Sequence, residues 1–174
     1  MSVCDVELMI KVSPQAEAKR VVLEMHSDWA PKGVERFLTL VKEGYYEDAR
    51  WHRVIPGFIA QVGICGDPKV YSKWGYSPID DDKVAVSNSR GTVSFAMKGP
   101  NTRSCQIFVN LVNNQSLDGQ GFSPIAKVKE GMDVIDALVE VPSGPDQNKY
   151  KEEGNRYMDA NFPNLSTIVS AKML

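Results

Sequence analysis

At 174 residues, with 43% hydrophobic and 24% charged side chains, the chain has the makeup of one soluble domain able to bury a sizeable core. Its formal net charge of −2 gives no ground for a nucleic-acid or membrane-surface partner. No apolar stretch approaches the ~20 residues of a membrane span. The opening MSVCDVELMIKV lacks a basic region followed by an apolar core of signal-peptide length, so the cytoplasm is the expected compartment. Cys4, Cys65 and Cys105 are odd in number, far apart and free of any C-x-x-C pair, and each is expected as a buried, inert thiol.

In chain order, Val6, Leu8, Ile10 and Val12 alternate with more polar neighbours, which predicts a half-buried strand. Pro14 and the polar run to Lys19 predict a turn, and Arg20 to Met25 a second strand that completes a hairpin. Pro31 suits the first turn of a helix, where its missing N–H is no loss. Val34, Phe37, Leu38 and Val41 then recur at helical spacing, and Gly44 ends the element. From Tyr45 to about Lys127 short apolar runs (Trp51 to Ile55, Phe58 to Val62, Thr92 to Met97, Gln106 to Leu111) are separated by clusters of Gly, Pro, Asn and Asp. Such spacing predicts an all-β sandwich or barrel. A second helix fits Gly131 to Val139, with Val134, Ile135 and Leu138 as its apolar stripe. Residues 142 to 164 read as a polar loop pinned by Tyr157 and Phe162, and Thr167 to Met173 as the last strand. Two helices added to a mostly antiparallel sheet, with strands at both termini, predict one closed barrel with a helix at either end.

Three segments carry chemistry. The first is WHRVIPGFIAQVG, residues 51 to 63, which sets Arg53 and Gln61 into an apolar run. One reading is a hairpin whose arginine reaches solvent or an acidic partner; the other makes Phe58 and Ile59 an apolar platform beside a fixed cation. His52, taken alone, reads as a hydrogen-bonded core histidine. With only His26 and His52 in the chain and no ligand spacing, no metal site is expected. The second segment is GTVSFAMKGPNTRSCQIFVN, a strand, a turn cluster and a strand carrying Gln106 and Phe108. The third is SLDGQGFSPIAKVKEGMDVI, in which Leu117 precedes an Asp-Gly turn and a strand leads into the second helix.

In this order, HRVIPGFIAQVG, GPNTRSCQIF and LDG…KVKEGMDVI resemble the cyclophilins, a family of peptidyl-prolyl cis-trans isomerases. The resemblance runs over almost the whole chain. It implies a closed eight-stranded antiparallel β-barrel capped by two helices, with a shallow proline-binding groove on its outer face. It also implies rotation about X-Pro bonds as the activity, proline-containing peptides and proteins as partners, no cofactor, and a monomer. Arg53 falls at the family's catalytic arginine. Phe58, Ile59, Phe108 and Leu117 would line the pocket for the proline ring. Gln61 matches the glutamine that bonds the substrate backbone and orients the arginine. Ala96, Met97 and Gln106 match the neighbouring subsite, Met97 through its backbone, and His52 matches the histidine beside the arginine.

The chain departs from the family pattern at several of these positions. Ile59 stands for the usual methionine, an apolar exchange of similar volume, and Met97 for an asparagine. Ser116 replaces a tryptophan that helps the family bind cyclosporin, so weakened inhibition by that drug is expected. Phe122 fills the space of a groove histidine. After Gly66-Asp67 the usual glycine-rich loop is replaced by PKVYSKWGYSPIDDD. Tyr71, Lys73 and Trp74 either rim the subsite preceding the proline or pack on the surface, and Asp80 to Asp82 read as a solvated turn. The loop changes leave room for a second function, a proline-peptide-binding module with weak or no catalysis. A thiol hydrolase built on Cys105 lacks a base at any recognisable spacing.

Overall fold

The computed structural model describes residues 3–174. Its centre is one antiparallel sheet of nine strands: β1 (Val3–Lys11), β2 (Lys19–His26), β3 (Ala49–Arg50), β4 (Arg53–Val54), β5 (Ile59–Val62), β6 (Thr92–Phe95), β7 (Ile107–Asn110), β8 (Pro124–Glu130) and β9 (Thr167–Met173). Neighbours run in the order β3-β9-β1-β2-β8-β6-β7-β5-β4. The closed eight-stranded barrel expected from the sequence is therefore corrected to a curled sheet. Its two edge strands, β3 and β4, form no ladder with each other and are joined only through Trp51 and His52. Trp51 is fully buried and its backbone N–H donates to the Ser166 carbonyl at 2.9 Å, so the chain crosses the gap across the end of β9.

Alternation fills the inside of the curl. Val6, Leu8 and Ile10 of β1, with Val21, Leu23 and Met25 of β2, turn inward, paired from Val3↔His26 to Ile10↔Lys19. Helix α1 (Pro31–Lys42) covers one end with Val34, Phe37, Leu40 and Val41; Leu40 is on the buried face, and Leu38 is only partly covered. The helix expected over Gly131 to Val139 is shortened to α3 (Met132–Asp136). It ends early because the Val139 N–H leaves the helical ladder and donates to Ser166 Oγ at 3.0 Å, while Leu138 still packs in the core.

Three further helices replace segments that read as loop. Helix α2 (Pro68–Trp74) starts at Asp67, whose carboxylate accepts from the Lys69 N–H at 2.9 Å, with Pro68 in the first turn. Helix α4 (Gln147–Glu153) starts the same way, Asp146 accepting from the Lys149 N–H at 3.1 Å. Helix α5 (Asn155–Asn161) follows after Gly154, which takes φ +65° and whose α-carbon lies so close to the Gly66 carbonyl that no side chain fits. Tyr150 and Met158 are buried from this pair, and the expected pins Tyr157 and Phe162 pack against the core with ring centroids 6.2 Å apart.

Asp82 does not lie in a solvated turn. It forms an ion pair with Arg103 at 3.0 Å, with side chains 4% and 2% exposed, and also accepts the Lys32 and Gly33 N–H groups. Those are free donors of the first turn of α1, so one carboxylate answers both the helix end and the buried guanidinium. Cys65 and Cys105 are buried as expected, whereas Cys4 is only half-buried. Among the described residues no helix is long and apolar enough to cross a membrane.

Candidate active site

The site begins with the β4–β5 hairpin. Gly57 at φ +72° turns the chain, the Phe58 N–H closes on the Ile55 carbonyl at 3.0 Å, and the register sets Arg53 opposite Gln61. The next ladders set Gln61 opposite Phe108 and Phe108 opposite Ser94. Directly paired residues share a face of the sheet, so Arg53, Gln61 and Phe108 form one row across three strands. A step along each strand reverses direction. Ala60, Val62, Ile107 and Val109 enter the main core, while Ile59 and Phe108 belong to a small, separate apolar cluster.

That second cluster is a floor. Ile59, Phe108 and Leu117 are buried in it, with Phe58, Ala96 and Phe122 packed around them and partly open. Phe122 stands edge-on to Phe108, centroids 5.6 Å apart and planes at 78°. Leu117 comes from a 3-10 turn over Gln115–Gln120, which Asp118 ties down by accepting from Ser87 Oγ and from the Asn88 N–H and Nδ2. Asn88 Nδ2 also donates to the Phe122 carbonyl at 2.9 Å. Phe58 lies outside β5, and simple alternation does not place it. Its carbonyl accepts both the Leu111 N–H at 2.9 Å and Asn114 Nδ2 at 3.0 Å, which bends the chain so that the ring meets the floor.

Arg53 borders this floor. Its Nη1 donates to Gln61 Oε1 at 3.2 Å, and Gln61 Nε2 donates to Gln106 Oε1 at 2.8 Å. The relay holds the guanidinium through Nη1, and Arg53, which lines the groove and makes no ion pair among the described residues, keeps further N–H donors beyond that bond. Gln61 is buried but lines the groove, so its amide is oriented rather than free to rotate. Arg53 thus stands beside the apolar residues with its guanidinium bonded to an amide rather than to an acidic partner among the described residues.

The groove has a volume of about 430 Å³ and continues past Gln106 between two walls. One wall is the stretch from Ala96 to Ser104, held by the Ala96 N–H on the Gln106 carbonyl and by a Lys98–Thr102 turn closed through Thr102 Oγ1. The other is Tyr71, Gly75 and Tyr76 at the end of α2, with Gln147 and Lys151 from α4. Of the residues whose place was open, Tyr71 lines the groove. Trp74 and Lys73 pack away from it, Trp74 lying under Arg36 and Lys73 at 5.0 and 4.9 Å. Sequence reasoning missed Tyr76, Gln147 and Lys151; the signals present were the Asp-Pro and Asp-Gln starts of α2 and α4.

His52 is not among the residues that line the groove. The residue after Trp51 is 1% exposed, with its ring edge-on to Tyr150 at 5.8 Å. Burial pushes its pKa down to about 4, against a weaker upward pull from the Arg50 backbone, so the ring is neutral at neutral pH. Burial likewise raises the Cys105 thiol, whose backbone carbonyl is taken by Tyr46 Oη at 2.8 Å, leaving no activated nucleophile there. Among the described residues no group of three His, Cys, Asp or Glu could hold a metal ion.

Comparison with known proteins places this geometry. Residues 9–154 match the family model for cyclophilin-type peptidyl-prolyl cis-trans isomerase. Peptidyl-prolyl cis-trans isomerase B of Escherichia coli (strain K12) is 35% identical over 133 residues, 71% of this chain and 80% of that protein. Peptidyl-prolyl cis-trans isomerase cyp18 of Streptomyces antibioticus is 34% identical over 145 residues, covering 78% of this chain and 87% of its own. A crystal structure of a Cryptosporidium parvum cyclophilin-type isomerase superposes with a TM-score of 0.72 at 23% identity, over 99% of this chain and 98% of the other. A second structure of that protein, obtained in the presence of the dipeptide Ala-Pro, superposes with a TM-score of 0.70 at 22% identity, covering 98% of each chain.

Proposed function

This chain belongs to the cyclophilin-type peptidyl-prolyl cis-trans isomerase family, and we propose that it catalyses rotation about X-Pro bonds through the row Arg53–Gln61–Phe108. Amide resonance puts ~18–20 kcal/mol in the way of that rotation, although the two X-Pro isomers lie within about 1 kcal/mol of each other. At the twisted geometry resonance is lost and the prolyl nitrogen regains a lone pair. A guanidinium N–H of Arg53 directed at that nitrogen stabilises the twisted state more than the planar one, which is the condition for catalysis. Gln61 fixes the guanidinium before substrate arrives, so little reorganisation is needed. Ile59, Phe108 and Leu117, flanked by Phe58 and Phe122, hold the ring while the acyl side turns. The Ala96–Met97 backbone and Gln106 hold the chain beyond it. No covalent bond breaks, so no nucleophile or proton transfer is called for.

The observation that carries this reading is the steered, unpaired arginine at the edge of an apolar floor detached from the main core. The test is a protease-coupled isomerisation assay on an X-Pro peptide. Arg53→Ala is expected to lower kcat/KM by about a hundredfold or more, the scale of losing one transition-state donor. A wild type that binds proline peptides without accelerating their isomerisation would replace the enzyme with a binding module.

The proposal extends to a single domain over residues 1–174, acting as a monomer on proline-containing peptides and proteins in the cytoplasm. One buried core running from β1 to β9 and three free cysteines support it; a dimer by light scattering would remove the monomer. Ser116 is exposed on the 3-10 turn beside Leu117 and offers no indole to a cyclic-peptide drug. Cyclosporin is therefore expected to bind more weakly to wild type than to Ser116→Trp, and equal affinities by calorimetry would refute that role.

A further inference from the structure

In a chain that is net negative, the charged side chains that line the groove are all cations. Arg53, Lys98 and Lys151 line it, and no acidic side chain does. Elsewhere among the described residues some cations are paired, Arg20, Arg50, Lys73, Arg90, Arg103, Lys127, Lys129 and Lys172 each meeting a carboxylate, and others, such as Lys83, stand on the surface; what sets Lys98 and Lys151 apart is that both line the groove. Neither Lys98 nor Lys151 forms an ion pair among the described residues. Both line the groove from different elements, Lys98 from the turn after β6 and Lys151 from α4.

Lys151 is the more constrained of the two. It is half-buried, and its ammonium lies 5.8 Å from the centre of the Tyr71 ring, which itself stands edge-on to Tyr76. Burial first, and the Lys98 cation second, pull its pKa below the usual lysine value. The last turn of α4 favours a cation, but that does not account for one folded in over the Tyr71 ring at the groove wall. Two cations lining one groove with no carboxylate among its lining residues offer a site for an anion supplied from outside.

Resting on the isomerase reading above, we propose that the Lys98–Lys151 end of the groove selects substrates carrying an anionic side chain, a carboxylate or a phosphomonoester, within the two or three residues that precede the proline. The direction follows from the geometry. The ring occupies the apolar floor and Arg53 faces its nitrogen. The groove past Gln106, where Met97, Lys98 and Lys151 stand, then receives the chain on the amino-terminal side.

The test uses the full chain and a series of X-Ala-Pro peptides in which X is Ala, Glu, phosphoserine or Lys, with matching peptides that place Glu after the proline. At low salt, kcat/KM is expected to favour Glu or phosphoserine over Lys by about threefold to tenfold, the yield of one or two partly exposed ion pairs. The ranking of Glu against phosphoserine identifies the source of the anion. In Lys98→Gln/Lys151→Gln the anion-to-lysine ratio is expected to fall toward one, and Lys98→Arg/Lys151→Arg should retain it. Equal kcat/KM for all four peptides, or a preference that the double Gln variant keeps, would overturn the proposal. Dissociation constants for the same peptides are measured in parallel. A protein that discriminates among them in binding but isomerises none loses the catalytic reading and keeps the anion site.

Discussion

The two halves of the groove are built on different principles. The floor stands on a ladder: Arg53, Gln61 and Phe108 are successive rungs of three paired strands, and Ile59 sits two residues from Gln61 on the same face. The rim stands on docking. Tyr71 and Tyr76, Gln147 and Lys151, and the Lys98–Thr102 turn come from separate elements that meet only through tertiary contacts. Register fixes a side chain's direction to within one residue, whereas a docked helix owes its position to whatever it packs against. Under the proposed mechanism the floor acts on the twisting bond and the rim only on the rest of the peptide. Chemistry is therefore placed where geometry is tightest, and selectivity where an element can be exchanged at small structural cost.

The sharpest way to break that division is to release the rim from its anchor. Arg103 reaches from the rim turn to Asp82 at 3.0 Å and to the Asp80 carbonyl, and through Asp82 to the start of α1. Removing one member of a buried ion pair leaves the other charge uncompensated, at a cost of about 3–5 kcal/mol. Arg103→Met is expected to lose that much stability, read from the urea midpoint at constant m-value. Native-state hydrogen exchange then asks where the loss falls. Faster exchange at residues 79–82 and 97–104, with β5 and β7 still protected, would show two separable halves. An equal loss of protection in β5 and β7 would show one cooperative unit, and the distinction between floor and rim would fail.

What could be read from the sequence follows the same line. The β1–β2 hairpin, α1, the last strand and the pairing of Arg53 with Gln61 were all legible, because each is written in a local period of 2 or 3.6 residues. The floor residues were legible through the family resemblance, since a period of two does not bring Phe58 to the floor. Helices α2, α4 and α5 were not. Each has seven residues, too few for an apolar stripe to outweigh polar composition, and each is held mainly by one buried side chain, Tyr71, Tyr150 or Met158. Their capping aspartates at 67 and 146 were the signal available. Asp82 misled in the opposite direction. Three consecutive aspartates read as solvated, and only the distant Arg103 and the α1 terminus explain why the third is buried. His52 was half-legible: its core character shows in the apolar run, but its contact with Tyr150 depends on α4.

His52 marks where floor and rim join, which gives a smaller and more specific test of the comparison. The residue precedes the hairpin that carries Arg53, and its ring is edge-on to Tyr150 of α4, whose hydroxyl accepts the Arg50 N–H at 3.1 Å. Its folded pKa of about 4 lies below the ordinary histidine value. The unfolded chain thus takes up a proton near pH 6.5 that the folded protein refuses. Stability from this group is complete above about pH 6.5 and is lost as pH falls from there toward 4, by about 2–3 kcal/mol at pH ~4.5. Wild type is therefore expected to lose that much more stability between about pH 7.5 and 4.5 than His52→Gln does, measured by urea unfolding at each pH. Equal pH dependence in the two proteins would mean that the imidazole is protonated within the fold. The ring would then have to reach solvent, and the natural way out is for α4 to part from the hairpin. Lys151 moves with α4, so that outcome would make the rim a mobile flap over a fixed floor, and hydrogen exchange at Tyr150 would report it directly.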